Sequence, residues 1–263
     1  MLKKSGLREE SISLAGELEN WYEKICSRDF IAYDPVQFPR RYTKREDIEI
    51  AAFLSATIAW GRRDLILRSA EKMFASLGKS PFAYIKNGGY KNLKNKNIHR
   101  TFFENDLKYF CRGFNFCYTR YGNLENLFLS CPNVWEGFYL FREEMAKANK
   151  NLYSKHISNA GKEGKNGSAC KRLNLALRWL VRKGPVDLGL WKNIKPSALF
   201  IPLDVHVSRT ARKLKLLERR TNDKKAVLEL TEKLRAFCRE DPVKYDYALF
   251  GIGAMPLFRG NGD

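Results

Sequence analysis

Two stretches of this sequence place side chains able to do covalent chemistry. The first, NGSACKRLNLALRWLV (166–181), sets Lys171 four residues after Gly167, where an apolar-periodic run begins. A neutral amine is a nucleophile, and a lysine among other cations and shielded from water has its pKa lowered. Lys147, Lys150, Lys155, Lys162, Lys165, Arg172, Arg178, Arg182 and Lys183 crowd this region, against Glu163 alone. A glycine-containing turn also offers backbone N–H groups to a phosphate. Lys171 therefore reads either as a nucleophile or as one more phosphate contact.

The second stretch, IPLDVHVSRTARKL (201–214), places Asp204 and His206 two apart, after Pro202 and before a basic helix. Pro202 restricts Ile201 to extended geometry. Asp204 is then a natural helix N-cap, its carboxylate accepting the first free amides. The same carboxylate, held rigidly at the positive end of a helix, is equally suited to stabilise cationic character in a reaction. His206 is expected to face inward and support this turn. D-x-H offers two metal ligands, but the remaining histidines, His99 and His156, sit in polar settings, and no metal site is expected.

The 263 residues suffice for one large domain or two small lobes. Lys and Arg number 48 against 29 Asp and Glu, a formal charge of +19. A field of that sign draws polyanions, so nucleic acid is the expected partner. An anionic membrane surface or ribosome association would also account for the charge. No apolar run approaches the roughly 18 residues of a membrane span, and MLKKSGLREES lacks the apolar stretch of a secretory signal. A cytoplasmic, nucleoid-associated monomer is expected. The six cysteines form no CxxC, so neither a zinc nor an iron–sulfur site is expected, nor any cofactor. They read as free, mostly buried thiols.

The elements that must carry these residues read as helices. SISLAGELENWYEKI sets Ile12, Leu18, Trp21, Tyr22 and Ile25 near one stripe. DPVQFPRRY follows as a loop broken by Pro35 and Pro39. Thr43 and Glu46 fit a capping box before DIEIAAFLSATIAW, which is apolar nearly all round and should be a buried central helix. Helical runs follow at DLILRSAEKMFASL, TFFENDLKYFCRGFNFCYTRY and VWEGFYLFREEMAKA. A linker-like segment at 159–169 precedes CKRLNLALRWLVRK, and KKAVLELTEKLRAFC and VKYDYALFGIGA close the pattern. No convincing strands appear, and the class is all-α.

Together the two reactive stretches resemble the helix-hairpin-helix DNA glycosylase superfamily, which includes endonuclease III and the 8-oxoguanine glycosylases. Its G-x-G-x-K hairpin is matched at Gly167 and Lys171, with Ala169 at the second glycine. Its V-D-x-H-x-x-R segment is matched by LDVHVSR at Asp204, His206 and Arg209. IEIAAFLSATIAWGRR (48–63) is similar to the superfamily's buried L-S-A helix, with Thr57 where endonuclease III has a gap-filling glutamine. YDYALFGIGA resembles the late helix that packs over the site. Over most of its length the chain is similar to a bacterial family of unknown function related to the archaeal 8-oxoguanine glycosylases.

The resemblance implies a two-lobed helical fold. Residues 47–183 would form a central lobe ending in the hairpin, and 1–46 plus 184–263 a second lobe, with a cleft between. It implies excision of a damaged base from double-stranded DNA, an oxidised purine first. Lys171 would form a Schiff base and cut the strand by β-elimination; Asp204 would stabilise the sugar cation. Gly167, Arg172, Thr57 and His206 fall at substrate-facing positions, while Arg62, Arg209 and Arg212 are candidate phosphate contacts. Trp60, Trp179, Trp191 and Phe250 are the candidates for stacking on an everted base. The insertion RKGPVDLGLWKNIKPSALF (182–200) is expected to cover or reshape the pocket. A non-catalytic nucleic-acid binder on the same fold, and a structural or ribosome-associated protein, are the alternatives.

Overall fold

The computed structural model describes residues 3–162 and 164–258, with side chains from 14 to 253. Glu163 and the side chains of Ile12 and the opening MLKKSGLREES lie outside them. The described chain is predominantly helical: α1 (Lys3–Ile25), α2 (Arg28–Ile31), α3 (Arg45–Thr57), α4 (Arg63–Leu77), α5 (Pro81–Lys86), α6 (Glu104–Tyr121), α7 (Leu124–Leu129), α8 (Val134–Lys147), α9 (Lys171–Val181), α10 (Val205–Lys213), α11 (Lys224–Arg235) and α12 (Tyr245–Phe258). Two short antiparallel strands, β1 (Asn97–His99) and β2 (Phe102–Phe103), pair just before α6. The sequence read that start as helix. Instead Phe103 N–H donates to Asp106 Oδ2 at 2.8 Å, which stops α6 short of the strand.

The apolar periodicity of α3 does what it must: Ile50, Ala51, Ala52 and Leu54 are wholly buried. The expected capping box of Thr43 and Glu46 does not form. Lys44 occupies the N-cap with no side-chain cap, and Glu46 and Asp47 instead place negative charge in the first turn. Asp47 is occupied elsewhere, accepting from Ser80 Oγ and Phe82 N–H at the start of α5. At the centre of α3, buried Glu49 accepts from Tyr118 Oη, the Leu124 amide and Trp191 Nε1 at 2.8–3.0 Å. One carboxylate thus ties α6, α7 and the loop after α9 to the central helix. Three acceptor bonds and Arg45 offset the cost of burying its charge.

Around α3 pack α5, α9 and the 3-10 turns Pro35–Gln37 and Pro39–Arg41, while α6, α7 and α8 pack on one another. Phe53, Phe114, Phe128, Phe141 and Trp191 form the aromatic core between them. A separate set of contacts joins α12 to α1 and α10. Glycines permit that approach. A Cβ on Gly251 would meet Ile25 at 2.5 Å, and one on Gly253 would meet Thr210 Oγ1 at 2.5 Å.

The 182–200 segment departs from expectation. Leu188 and Trp191 donate backbone N–H groups to the Trp179 and Leu180 carbonyls, and Asn193 N–H donates to Glu125. The segment straps α9 to α3 and α7.

Arg178 and Arg182 belong by sequence to the cation-rich stretch around Lys171, but both are buried. Arg178 pairs with Asp246 and Asp187, and Arg182 with Asp187 and Asp241. Tyr247 Oη accepts from Arg178 and donates to Asp187 at 2.8 Å. The network joins α9 to α12 through the strap. Asp187→Ala strands two buried guanidinium groups without their shared carboxylate. Denaturant unfolding should register a loss of about 3–5 kcal/mol, and a loss below about 1 kcal/mol would show the network to be energetically idle.

Candidate functional site

Lys171 is the first residue of α9 and Asp204 the N-cap of α10, so two helix starts face each other. Lys171 Nζ lies 3.9 Å from Asp204 Oδ2, with each side chain a little over a quarter exposed. The other carboxylate oxygen, Oδ1, accepts from the Val207 amide at 2.9 Å. That bond fixes the carboxylate and leaves Oδ2 turned to the amine. Lys171 Nζ also donates to the Ala59 carbonyl at 3.0 Å, and Arg172 donates to the Thr57 carbonyl at 3.0 Å. Thr57 is the last residue of α3 and Ala59 lies two residues beyond it, where carbonyls lack intrahelical partners and attract cations. The C-terminal end of the buried helix thereby positions the amine.

The pair stands in a cavity of about 1190 Å³. Among its lining residues are Trp60, His156, Asp34, Asp246, Tyr247 and Phe250. Of the four candidate stacking residues, Trp60 and Phe250 are here. Trp179 and Trp191 are core, 0% and 1% exposed. Trp60 is held edge-on by His99 at 4.9 Å, face-on by His156 at 5.7 Å and by the Arg172 guanidinium at 5.3 Å. Phe250 meets Phe30 edge-on, with Arg63 over its ring.

The remaining sequence candidates divide. His206 lines the cavity but is exposed, so it does not face inward as expected; the buried stripe of α10 falls on Val207, Ser208, Thr210 and Ala211 instead. Arg62 lies at the rim, paired with Asp64 at 3.0 Å. Thr57 is 5% exposed and outside the lining, reaching Arg172 only through its carbonyl. Gly167 is also outside the lining. A Cβ there would meet the Ala160 carbonyl oxygen at 2.1 Å, which explains the glycine by close backbone packing. Among the described residues no helix leads into this turn: α8 ends at Lys147, and the loop closes with Ser168 N–H donating to the Asn159 carbonyl. Arg209 faces outward in a neighbouring groove, and none of 182–200 lines the cavity. The strap therefore braces α9 rather than covering the site.

Two further carboxylates went unrecognised in the sequence. Asp34 precedes Pro35 and caps the turn Pro35–Gln37, accepting from Val36 N–H at 3.0 Å. Its motif announces a cap and nothing more. Asp246 begins the late helix, and its partner Arg178 is remote in sequence. Burial pushes the Asp34 carboxyl upward, and pushes that of Asp246 up to about 6. Among the described residues no group of three or more His, Cys, Asp and Glu is placed to hold a metal ion. Cys170, beside Lys171, is buried, and burial pushes its thiol up to about 11. The arrangement sets an amine beside a carboxylate between aromatic walls, groups whose types suit acid–base and amine chemistry.

Residues 34–255 match the model of a family described as "Protein of unknown function (DUF2400)", and the chain belongs to that family. No curated protein and no solved structure matches it.

The Asp246 carboxyl gives a pH signature. The folded chain keeps this proton to about pH 6, the unfolded chain only to about 3.9. Between those values the native state binds more protons, so this group's contribution falls as pH rises, by at most about 3 kcal/mol. The stability of the wild type minus that of Asp246→Asn should therefore decline from pH 4 to 6 and be level above. A difference that rises over this window would mean that attraction to Arg178 outweighs burial.

Proposed function

We propose that this member of the DUF2400 family is a DNA glycosylase with β-lyase activity, acting on a damaged base in double-stranded DNA. The observation that carries the reading is the 3.9 Å approach of Lys171 Nζ to Asp204 Oδ2 inside one large cavity. The cavity exceeds the roughly 300–1,000 Å³ usual for small-molecule sites, and so has room for an everted nucleotide. The packing supports two lobes, with α3 and α5–α9 on one side and α1 with α10–α12 on the other, Lys171 and Asp204 facing each other between them. The fold is then of the helix-hairpin-helix glycosylase type with a looped entry to its hairpin. Among the described residues no helix is long and apolar enough to cross a membrane. The +19 charge supports nucleic acid as the partner.

In the proposed reaction, the Lys171 amine attacks C1′ of the deoxyribose. The C1′–N bond breaks and its electron pair leaves with the base. Asp204 stabilises the positive charge that grows on the sugar, and Oδ2 takes the proton released by the amine. Opening of the sugar ring gives an imine between Nζ and C1′. Loss of a C2′ proton then expels the 3′ phosphate and cuts the strand, and water releases the lysine. Trp60 and Phe250 supply aromatic surface for the extruded base. His206, exposed at the mouth, contacts the DNA, as does Arg62 once Asp64 yields it.

An oxidised purine is the first substrate to test. Duplexes carrying 8-oxoguanine, thymine glycol, uracil or an abasic site, resolved on denaturing gels, should show nicking at one of them. Lys171→Ala should abolish nicking. Asp204→Asn should slow it by about 10²–10³-fold with duplex affinity unchanged. Salt-sensitive binding without nicking of any lesion, the abasic site included, would instead leave a non-catalytic nucleic-acid binder.

A further inference from the structure

We infer that an open groove beside the cavity, between α10 and the turn 219–222, is the track that holds the phosphodiester backbone flanking the everted nucleotide. This rests on the reading that the cavity receives a nucleotide.

The groove, about 660 Å³ in volume, is lined by α10 on one side and by Arg220, Thr221 and Asn222 on the other. Among the described residues no carboxylate lines it. Arg209, Lys213 and Arg220 are exposed, and their side chains have no carboxylate partner among the described residues. Arg209 and Lys213 stand one turn apart on α10, about 6 Å along its axis. At the opposite rim, by contrast, Asp64 stands between Arg62 and Arg68 at 3.0 and 2.9 Å and offsets their charge. The positive field at the mouth is thus stronger on the α10 side.

The groove is also built in advance. Arg212, a phosphate-contact candidate from sequence, has its guanidinium occupied. It donates to the Arg219 and Arg220 carbonyls at 2.9 and 2.8 Å and to Asn222 Oδ1 at 2.6 Å. Asn222 Nδ2 donates in turn to Ser208 Oγ at 2.9 Å. These bonds fix the far wall against α10 and leave the other three cations facing the open space. Arg212 is therefore a clamp, and Arg209, Lys213 and Arg220 are the phosphate contacts.

Groove and cavity are continuous, since Val205 and Asn222 line both. Val205 follows Asp204 directly and is 60% exposed, an apolar side chain at the junction. A strand whose nucleotide enters the cavity passes over Val205, which meets the neighbouring sugar or base, and its phosphates continue along α10.

The test is binding of a duplex carrying an abasic site, by wild type and by Arg209→Ala/Lys213→Ala/Arg220→Ala, across a salt series. All three side chains are exposed, so the variant should fold. The variant should bind more than tenfold more weakly, and the slope of log Kd against log salt should fall by about 2–3, the counterion release of three phosphates. Neutral methylphosphonates on one side of the abasic site should weaken the wild type similarly and leave the variant unaffected. An unchanged slope, or methylphosphonates that weaken both proteins equally from either side, would overturn the track while leaving the cavity chemistry standing. Absence of salt-dependent duplex binding by the wild type would overturn both. Loss of nicking with the track's signature intact would overturn the chemistry alone.

Discussion

The buried ionic network between α9 and α12 is the constraint on which the site depends. Lys171 opens α9, and Asp204 caps α10, whose inner face rests on α12. Nothing in the local structure of either helix brings amine and carboxylate together. What sets their distance is the joining of α9 to α12 through Arg178, Arg182, Asp187, Asp246 and Tyr247. Buried charges held by several partners have few alternative arrangements. A slip in packing would leave at least one of them unpaired in a dry interior. A purely apolar contact would tolerate more sliding between the helices.

The end of α3 supplies the second half of the positioning. The last carbonyls of a helix and those just past it lack intrahelical partners. Thr57 and Ala59 give theirs to Arg172 and Lys171. The same bonds satisfy these carbonyls and hold the Lys171 amine at the cavity wall, with Glu49 locking the opposite side of α3 to α6, α7 and the strap.

Much of this was legible in the sequence, for reasons that differ by residue. The buried character of α3 follows from an apolar pattern without a polar face. Lys171 and Asp204 stand out because each sits at a helix start, where a turn glycine or a proline marks the boundary. His206, two residues from Asp204 in sequence, is exposed at the mouth of the cavity rather than turned inward, because the buried stripe of α10 begins at Val207. Thr43 and Glu46 have capping-box spacing, but α3 starts one residue later, with Lys44 at the N-cap. A count of cations along the chain groups Arg178 and Arg182 with the lysines around Lys171, whereas in the fold they are buried against Asp187, Asp241 and Asp246. The pairs with Asp241 and Asp246 come from long-range packing and leave no local pattern, and Asp187, though near in sequence, sits in the strap at no helical spacing. Asp34 and Asp246 were hidden for the same reason.

The proposed chemistry requires that one amine become covalently joined to a deoxyribose carbon. Borohydride reduction during reaction with an abasic-site duplex, followed by proteolysis and mass spectrometry of the adduct, measures this directly. A reduced sugar–phosphate adduct on the peptide containing Lys171, lost when Lys171 is alanine, is the expected result. An adduct on another lysine, or none under conditions where the duplex is bound, would contradict the assignment.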